Sequence, residues 1–397
     1  MMLKIFFKHR SSYFVGATVI AWALAGPSPA GPGVMHAQAP APRTAPGAIA
    51  PAESAAIAQG WALLVQGNLA GADGAAREVL RLYPLNPSSI ALAVEAAMAR
   101  QGWRAGLDTY DQWVGARSVD NLYAIRRIAR SVLFEALTTS VDADLQLDVV
   151  NALALDGENV QMLLQNTQGP AGADPRARAA AGDPKAIAAL AAGIDNEGDR
   201  VGAIKALGRS RNAAAIAPLV GMLGHQRSEL RAAAAAGLGD LNARNAVPQL
   251  RQMLKDEQLL PRMAAAGSLM RLGDTSAATL VREWLSSDVA DVRLEAARIT
   301  ASNPDGSWTA HVRQLLQDPD PMIRIGAARL LGEQDPSTAR WALQSLTNDS
   351  NLAIREEALR VMPEVVGGDF AELRRFLRAA DADIRIRAAL RIVQLTR

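Results

Sequence analysis

Cysteine is absent from the 397 residues. That excludes disulfides, thiol catalysis, thiolate metal sites and attachment of groups through sulfur. Histidine is nearly absent as well: His9, His36, His225 and His311 are the whole set. None stands near a second histidine in the way a metal pair requires. Aromatic residues make up only 4% of the chain while apolar residues reach 49%, alanine supplying much of the difference. Alanine-rich segments lose little entropy as helices and let helices approach closely, so the composition predicts an all-α protein. No glycine-rich phosphate loop and no nucleophile elbow occurs. The sequence therefore yields no catalytic residue, no metal ligand set and no cofactor site.

An excess of charge is missing too. The formal net charge is +2, but Lys4, Lys8 and Arg10 lie in the first ten residues. Without residues 1–39 the chain keeps 39 basic against 40 acidic groups, a net charge of −1. Nucleic-acid binding domains are usually clearly basic, so no nucleic-acid partner is expected.

The N-terminal segment carries an address. Lys4, Lys8, His9 and Arg10 form a basic region, Tyr13–Leu24 an apolar one, and Ala23-Leu24-Ala25 a cleavage pattern. These are the parts of a secretory signal peptide spanning residues 1–25. Ala37-Gln38-Ala39 would place cleavage as late as residue 39. The apolar run is shorter than the ~20 residues of a spanning helix, so membrane contact arises only if this segment stays uncleaved. The expected location is the periplasm, with an inner-membrane anchor as the alternative. Residues 26–52 hold seven prolines and read as a flexible tether.

Residues 53–115 resemble two tetratricopeptide (TPR) hairpins. Gly60, Leu63, Gly67, Leu69, Ala72, Leu80 and Pro84 carry the first copy, and Gly102, Tyr110 and Trp113 the second. Residues 116–168 read as irregular helices, with Leu122, Ile125, Ile128, Val132 and Leu133 at helical spacing. Residues 169–182 (GPAGADPRARAAAG) read as a linker.

Self-comparison of residues 183–397 then gives a strict period. Arg200, Arg231, Arg262, Arg293, Arg324 and Arg355 lie 31 residues apart, and Arg385 follows after 30. Three residues after each comes Ala203, Ala234, Ala265, Ala296, Ala327, Ala358 or Ala388. A second column, Met222, Met253, Trp284, Leu315, Leu346 and Leu377, belongs to the following helix. Each unit is thus a helix pair that cannot bury its apolar face alone, and neighbours must stack into a solenoid.

The units resemble HEAT repeats, most closely the short HEAT-like repeats named after phycobilisome lyases. Asp291-Val292-Arg293 with Ala296-Ala297, and Ile323-Arg324 with Ala327-Ala328 and Leu331-Gly332, carry the pattern. The resemblance implies a right-handed α-solenoid with its second helices on the concave side. It says little about chemistry. Pigment attachment has no marked site here, iron hydroxylases of this fold use His-Glu pairs that the chain lacks, and DNA glycosylases need a basic groove.

Two arginine sets remain. The 31-residue ladder is expected to be structural, half-buried and paired with acids at the repeat termini. On the second helices, Val220, Arg251, Arg282, Arg313, Gln344 and Arg375 form another column. It lies about 100° round the helix from the core-facing Leu219, at the edge of the exposed surface. Trp341 shares its face. Arg251, Arg282, Arg313, Trp341 and Arg375 are therefore the candidate partner-binding residues, suited to an acidic protein or an anionic polysaccharide. The expected function is a non-catalytic periplasmic scaffold or adaptor for cell-envelope partners. The alternative is an enzyme, or an essential subunit of a lyase-like or polysaccharide-processing envelope complex.

Overall fold

The computed structural model describes residues 51–115, 120–139, 142–166, 170–194, 199–301 and 308–397. The expected signal peptide and most of the tether lie outside these residues. Every long element is helical, and no helix among the described residues is long and apolar enough to cross a membrane. The chain divides into two compact units, residues 1–128 and 129–397.

In the first unit, α1 (Pro51–Val65), α2 (Leu69–Leu82), α3 (Pro87–Gln101) and α4 (Trp103–Val114) each pack on the next. They form two helix pairs within residues 51–114. Gly60 lets α1 meet α3, since a Cβ there would stand 2.4 Å from Leu92 Cδ2. Trp113 Nε1 donates to the carbonyl of Pro84 at 2.9 Å, tying the second pair to the turn before it. Helix α5 (Leu122–Ala136) spans the boundary between the units.

The second unit continues with α6 (Ala143–Leu155), α7 (Val160–Asn166), α8 (Pro170–Ala173), α9 (Pro175–Ala180) and α10 (Pro184–Gly193). The linker expected at 169–182 is thereby corrected, because α8 and α9 occupy it. Proline stands at the first position of both helices, where its missing N–H costs nothing. Asp174 caps α9 by accepting from the Arg176 amide, and Ala177 and Ala179 are fully buried. Helix α9 packs on α10, so this pair opens the array earlier than the boundary at 183.

Six further pairs follow: α11 (Arg200–Arg209) with α12 (Ile216–Met222), α13 (Ser228–Asp240) with α14 (Val247–Met253), and α15 (Leu259–Arg271) with α16 (Ala278–Leu285). Then come α17 (Ala290–Thr300) with α18 (Thr309–Leu315), α19 (Pro321–Leu331) with α20 (Pro336–Leu346), and α21 (Leu352–Val365) with α22 (Phe370–Leu377). A last first-helix, α23 (Ala382–Leu395), ends the chain. The seven alanines of the ladder are all completely buried. Asp183 and Asp320 cap α10 and α19 through the amides of Lys185 and Met322, each ahead of a proline.

The ladder arginines explain the period physically. Nη1 of Arg231, Arg262, Arg293, Arg324, Arg355 and Arg385 donates to the carbonyl six residues back, at 2.6–3.2 Å. Those carbonyls lie in the turn two or three residues past the end of the preceding second helix, where the backbone has no helical partner. A guanidinium supplies the donors and a positive charge at the negative end of the helix dipole. The expected acid pairing is secondary. Arg231 binds Asp256 at 2.7 Å and Arg293 approaches Asp318 at 3.7 Å, 25 residues on. In the other repeats, backbone carbonyls are the partners that define the ladder. Arg200 opens α11 directly after Asp199, and the turn before it lies outside the described residues.

Which helices face inward also departs from expectation. First helices of successive pairs, from α11 to α23, pack directly on one another, and no comparable contact joins one second helix to the next. Small residues cause this. A Cβ on Gly208 would stand 2.6 Å from the Gly237 Cα, so α11 and α13 meet backbone to backbone. Ser268 Oγ donates to the Ala235 carbonyl at 2.8 Å in the α13–α15 contact. The crowded side of a curved stack is its concave side. Here the first helices line it and the second helices stand outside.

Candidate functional site

The candidate column on the second helices is exposed. Arg251, Arg282, Arg313, Gln344 and Arg375 all face solvent, Val220 is half-buried, and Trp341 is 64% exposed. The column is thus a surface, but on the convex side, where its helices splay apart.

Its arginines are not equivalent. Arg251 reaches Asp274 at 2.5 Å and Arg313 reaches Asp335 at 3.1 Å, each on the turn before the next second helix. Both acids also serve that turn. Asp274 accepts from the Ser276 hydroxyl and amide, and these bonds with Arg251 hold its carboxyl down at about 2. Asp335 accepts from the Thr338 hydroxyl and amide and from Ser337, and lies lower still. Arg251 and Arg313 therefore tie one outer helix to the next and present little net charge. Arg282 bonds only weakly within its own helix, to the Ala278 carbonyl at 3.3 Å and Thr279 Oγ1 at 3.4 Å. Beside Trp341, Arg340 binds Glu372 of the following helix at 2.6 Å. Trp341, Gln344, Arg282 and Arg375 are the other exposed members of this face. The pairing acids had a sequence signal: Asp274 and Asp335 follow Arg251 and Arg313 by 23 and 22 residues.

The inner face is occupied by the protein itself. Helix α6 packs on α11 and on α23, bringing the two ends of the array together. Arg209 binds Asp148 at 3.0 Å and Lys205 binds Asp144 at 2.6 Å. Arg397 Nη2 donates to the Ala152 carbonyl at 3.1 Å. Around them Glu364 receives both Arg329 at 2.5 Å and Arg387 at 2.7 Å. Burial pushes the Asp148 carboxyl up, against the pull of Arg209 and Arg387. The Lys205 and Arg209 pairs are consumed in closure, and the Glu364 pairs join α19, α21 and α23.

A cleft of about 180 Å³ beside α6 is lined by Asp142, Asp144, Asp174, Asp199, Arg176 and Lys205. Asp142, Asp174 and Asp199 are helix caps, and Asp144 pairs with Lys205. Among the described residues no three metal-binding side chains gather to hold an ion. His225 Nδ1 accepts from the Arg227 amide in a turn, and His311 lies on α18.

Comparison with known proteins agrees with the ladders. Residues 222–301 and 309–394 match the family model described as HEAT repeats. These two segments are HEAT repeats. Among solved structures, the phycocyanin lyase CpcE–CpcF complex from Nostoc is similar at 20% identity, covering 71% of this chain and 96% of that one, with a TM-score of 0.36. Human deoxyhypusine hydroxylase in complex with glycerol is similar at 18% identity, covering 62% and 97%, with a TM-score of 0.32. No curated protein matches the chain. The HEAT segments hold Arg251, Arg282, Arg313, Trp341 and Arg375, so every candidate residue stands on the array.

Proposed function

We propose that the chain is a non-catalytic periplasmic scaffold whose outer, second-helix face docks an acidic segment of a cell-envelope protein. The observation that carries this reading is Trp341. It is 64% exposed, whereas the positions 31 residues either side are Ala310 and Glu372. Burying a large apolar side chain against a partner contributes roughly 1.5–3 kcal/mol, and tryptophan and arginine predominate among binding hot spots. Arg282 and Arg375 supply the charge for an acidic partner, since Arg251 and Arg313 are already paired. The internal ion pairs of the concave side leave the outer face as the accessible one. The N-terminal basic and apolar regions support the location.

Affinity capture of the tagged mature protein from envelope extracts tests the reading. The captured protein should be lost from Trp341→Ala and from the Arg282→Glu/Arg375→Glu double variant. Capture unchanged in both removes the outer face as the docking surface. Captured material that resists protease but is released by polysaccharide digestion assigns the face to an anionic polysaccharide instead.

A further inference from the structure

Four consecutive repeats leave one large apolar side chain in solvent where the chain enters the first helix. Leu260 is 52% exposed, Val289 55%, Met322 47% and Leu352 58%. They precede the ladder residues Arg262, Arg293, Arg324 and Arg355 by two to four positions, so they occupy equivalent turns. A solenoid stacks equivalent turns along one edge, about 10 Å apart at ordinary helix spacing. The row ends in charge on both sides: Arg227 and Glu229 hold the corresponding places before it, and Asp381 and Asp383 those after. Isolated exposed apolar residues are ordinary, but a set repeated in successive turns and rimmed by polar groups marks an interaction site.

The charge of this edge decides the partner. Glu257, Asp288, Asp291 and Asp320 are exposed in the first three of these turns, and Lys255 is an exposed cation near them. The ladder arginines beneath keep their charge but turn it inward, away from the exposed acids. They are half-buried, and Nη1 of Arg262, Arg293, Arg324 and Arg355 is held by backbone carbonyls. We propose that this edge docks a basic amphipathic helix of a protein partner. Its apolar stripe lies along Leu260, Val289, Met322 and Leu352, and its Lys or Arg residues face the acids. Three repeat steps of about 10 Å match a helix of about twenty residues, which is about 30 Å long. Apolar anchors spaced along one helix face provide affinity, and the acids steer a basic partner while repelling anionic surfaces. The edge is separate from the outer column and prefers the opposite charge, so this inference stands without the outer-face reading.

The test uses the mature protein and a fluorescent twenty-residue Leu/Lys amphipathic helix, with a Leu/Glu helix of the same pattern and phosphatidylglycerol vesicles as comparisons. The Leu/Lys helix should bind, and its binding should weaken as salt rises. Val289→Ser with Met322→Ser should weaken it at least tenfold, and both side chains are exposed enough for the thermal midpoint to stay in place. Asp288→Lys with Asp291→Lys should transfer preference to the Leu/Glu helix, while Trp341→Ala should leave binding unchanged. Equal affinity for the serine variant, or tighter binding of the Leu/Glu helix by the unaltered protein, overturns the proposal. Binding of the anionic vesicles by the unaltered protein overturns it too.

Discussion

Arg324 reaches back along its own chain, its Nη1 donating to the Asp318 carbonyl at 2.7 Å and to the Pro319 carbonyl at 3.0 Å. One guanidinium thus fixes the turn between α18, which ends at Leu315, and α19. Hydrogen bonds to charged groups contribute about 1.5–3 kcal/mol, so Arg324→Ala should lower stability by about that amount in urea titration. Arg282→Ala, in the exposed column, should stay within about 0.5 kcal/mol of the parent. Equal losses would mean that the carbonyl contacts do not stabilise the repeat.

Glycine at the inner contact gives a second expectation. Gly208→Ala would place a methyl 2.6 Å from the Gly237 Cα, against backbone that cannot rotate away. Overpacking of this kind costs about 1–3 kcal/mol. Gly221→Ala meets nothing within 4 Å in α12 and should stabilise by roughly 0.5–1 kcal/mol. Thermal midpoints of the two variants should therefore move in opposite directions.

Glu364 on α21 joins three successive first helices, receiving Arg329 of α19 and Arg387 of α23 together. Glu364→Ala leaves two half-exposed guanidinium groups without that carboxylate and should cost roughly 1–2 kcal/mol, above the ~1 kcal/mol ceiling of an isolated surface pair. Hydrogen exchange should quicken first in α19, α21 and α23, while α13 and α15 keep their protection. Uniform quickening along the array would show that Glu364 does not hold these three helices locally.

The ladder and its neighbours were legible because close helix contact demands small residues at fixed intervals, and Ala203 through Ala388 repeat that demand every 31 or 30 residues. The closure was not legible. Arg397 and Ala152 are 245 residues apart and belong to no repeat. Residues 169–182 misled because proline, glycine and alanine suggest a break, whereas Pro170 and Pro175 each begin a helix. The side of the solenoid also had to come from packing. It depends on which helix carries the smaller residues, and Gly208 and Gly237 place that contact on the first helices. In the candidate site, exposure of the column followed from helix geometry, but the pairing of Arg251 and Arg313 required the position of the next turn.

Acid should loosen the outer ties in a defined direction. Asp274 has its carboxyl held at about 2 by Ser276 and Arg251, below the ordinary value of about 3.9. A depressed folded value means stability that is present above about pH 4 and lost as pH falls toward 2. Asp335 adds a contribution of the same sign, lost at still lower pH. Urea midpoints should therefore decline from pH 5 to pH 2, and Asp274→Asn should flatten that decline. A midpoint that rises on acidification would contradict the assignment.

Export makes its own demand. Intact mass of the protein from the envelope fraction should correspond to a chain beginning between Gly26 and Pro40, after one of the two cleavage patterns. Full-length chain confined to the cytosol would remove the periplasmic scaffold from consideration.

The most direct measurement is site-specific photo-crosslinking in living cells, with a benzophenone side chain at Gln344 or at Arg298. Gln344 lies one turn from Trp341 on the outer face. Arg298 lies 31 residues before Arg329 on the inner one. The scaffold reading predicts a protein adduct from position 344 that disappears when Trp341→Ala is added, and none from position 298. Adducts from position 298 with none from 344 would place the partner on the concave side and contradict the account.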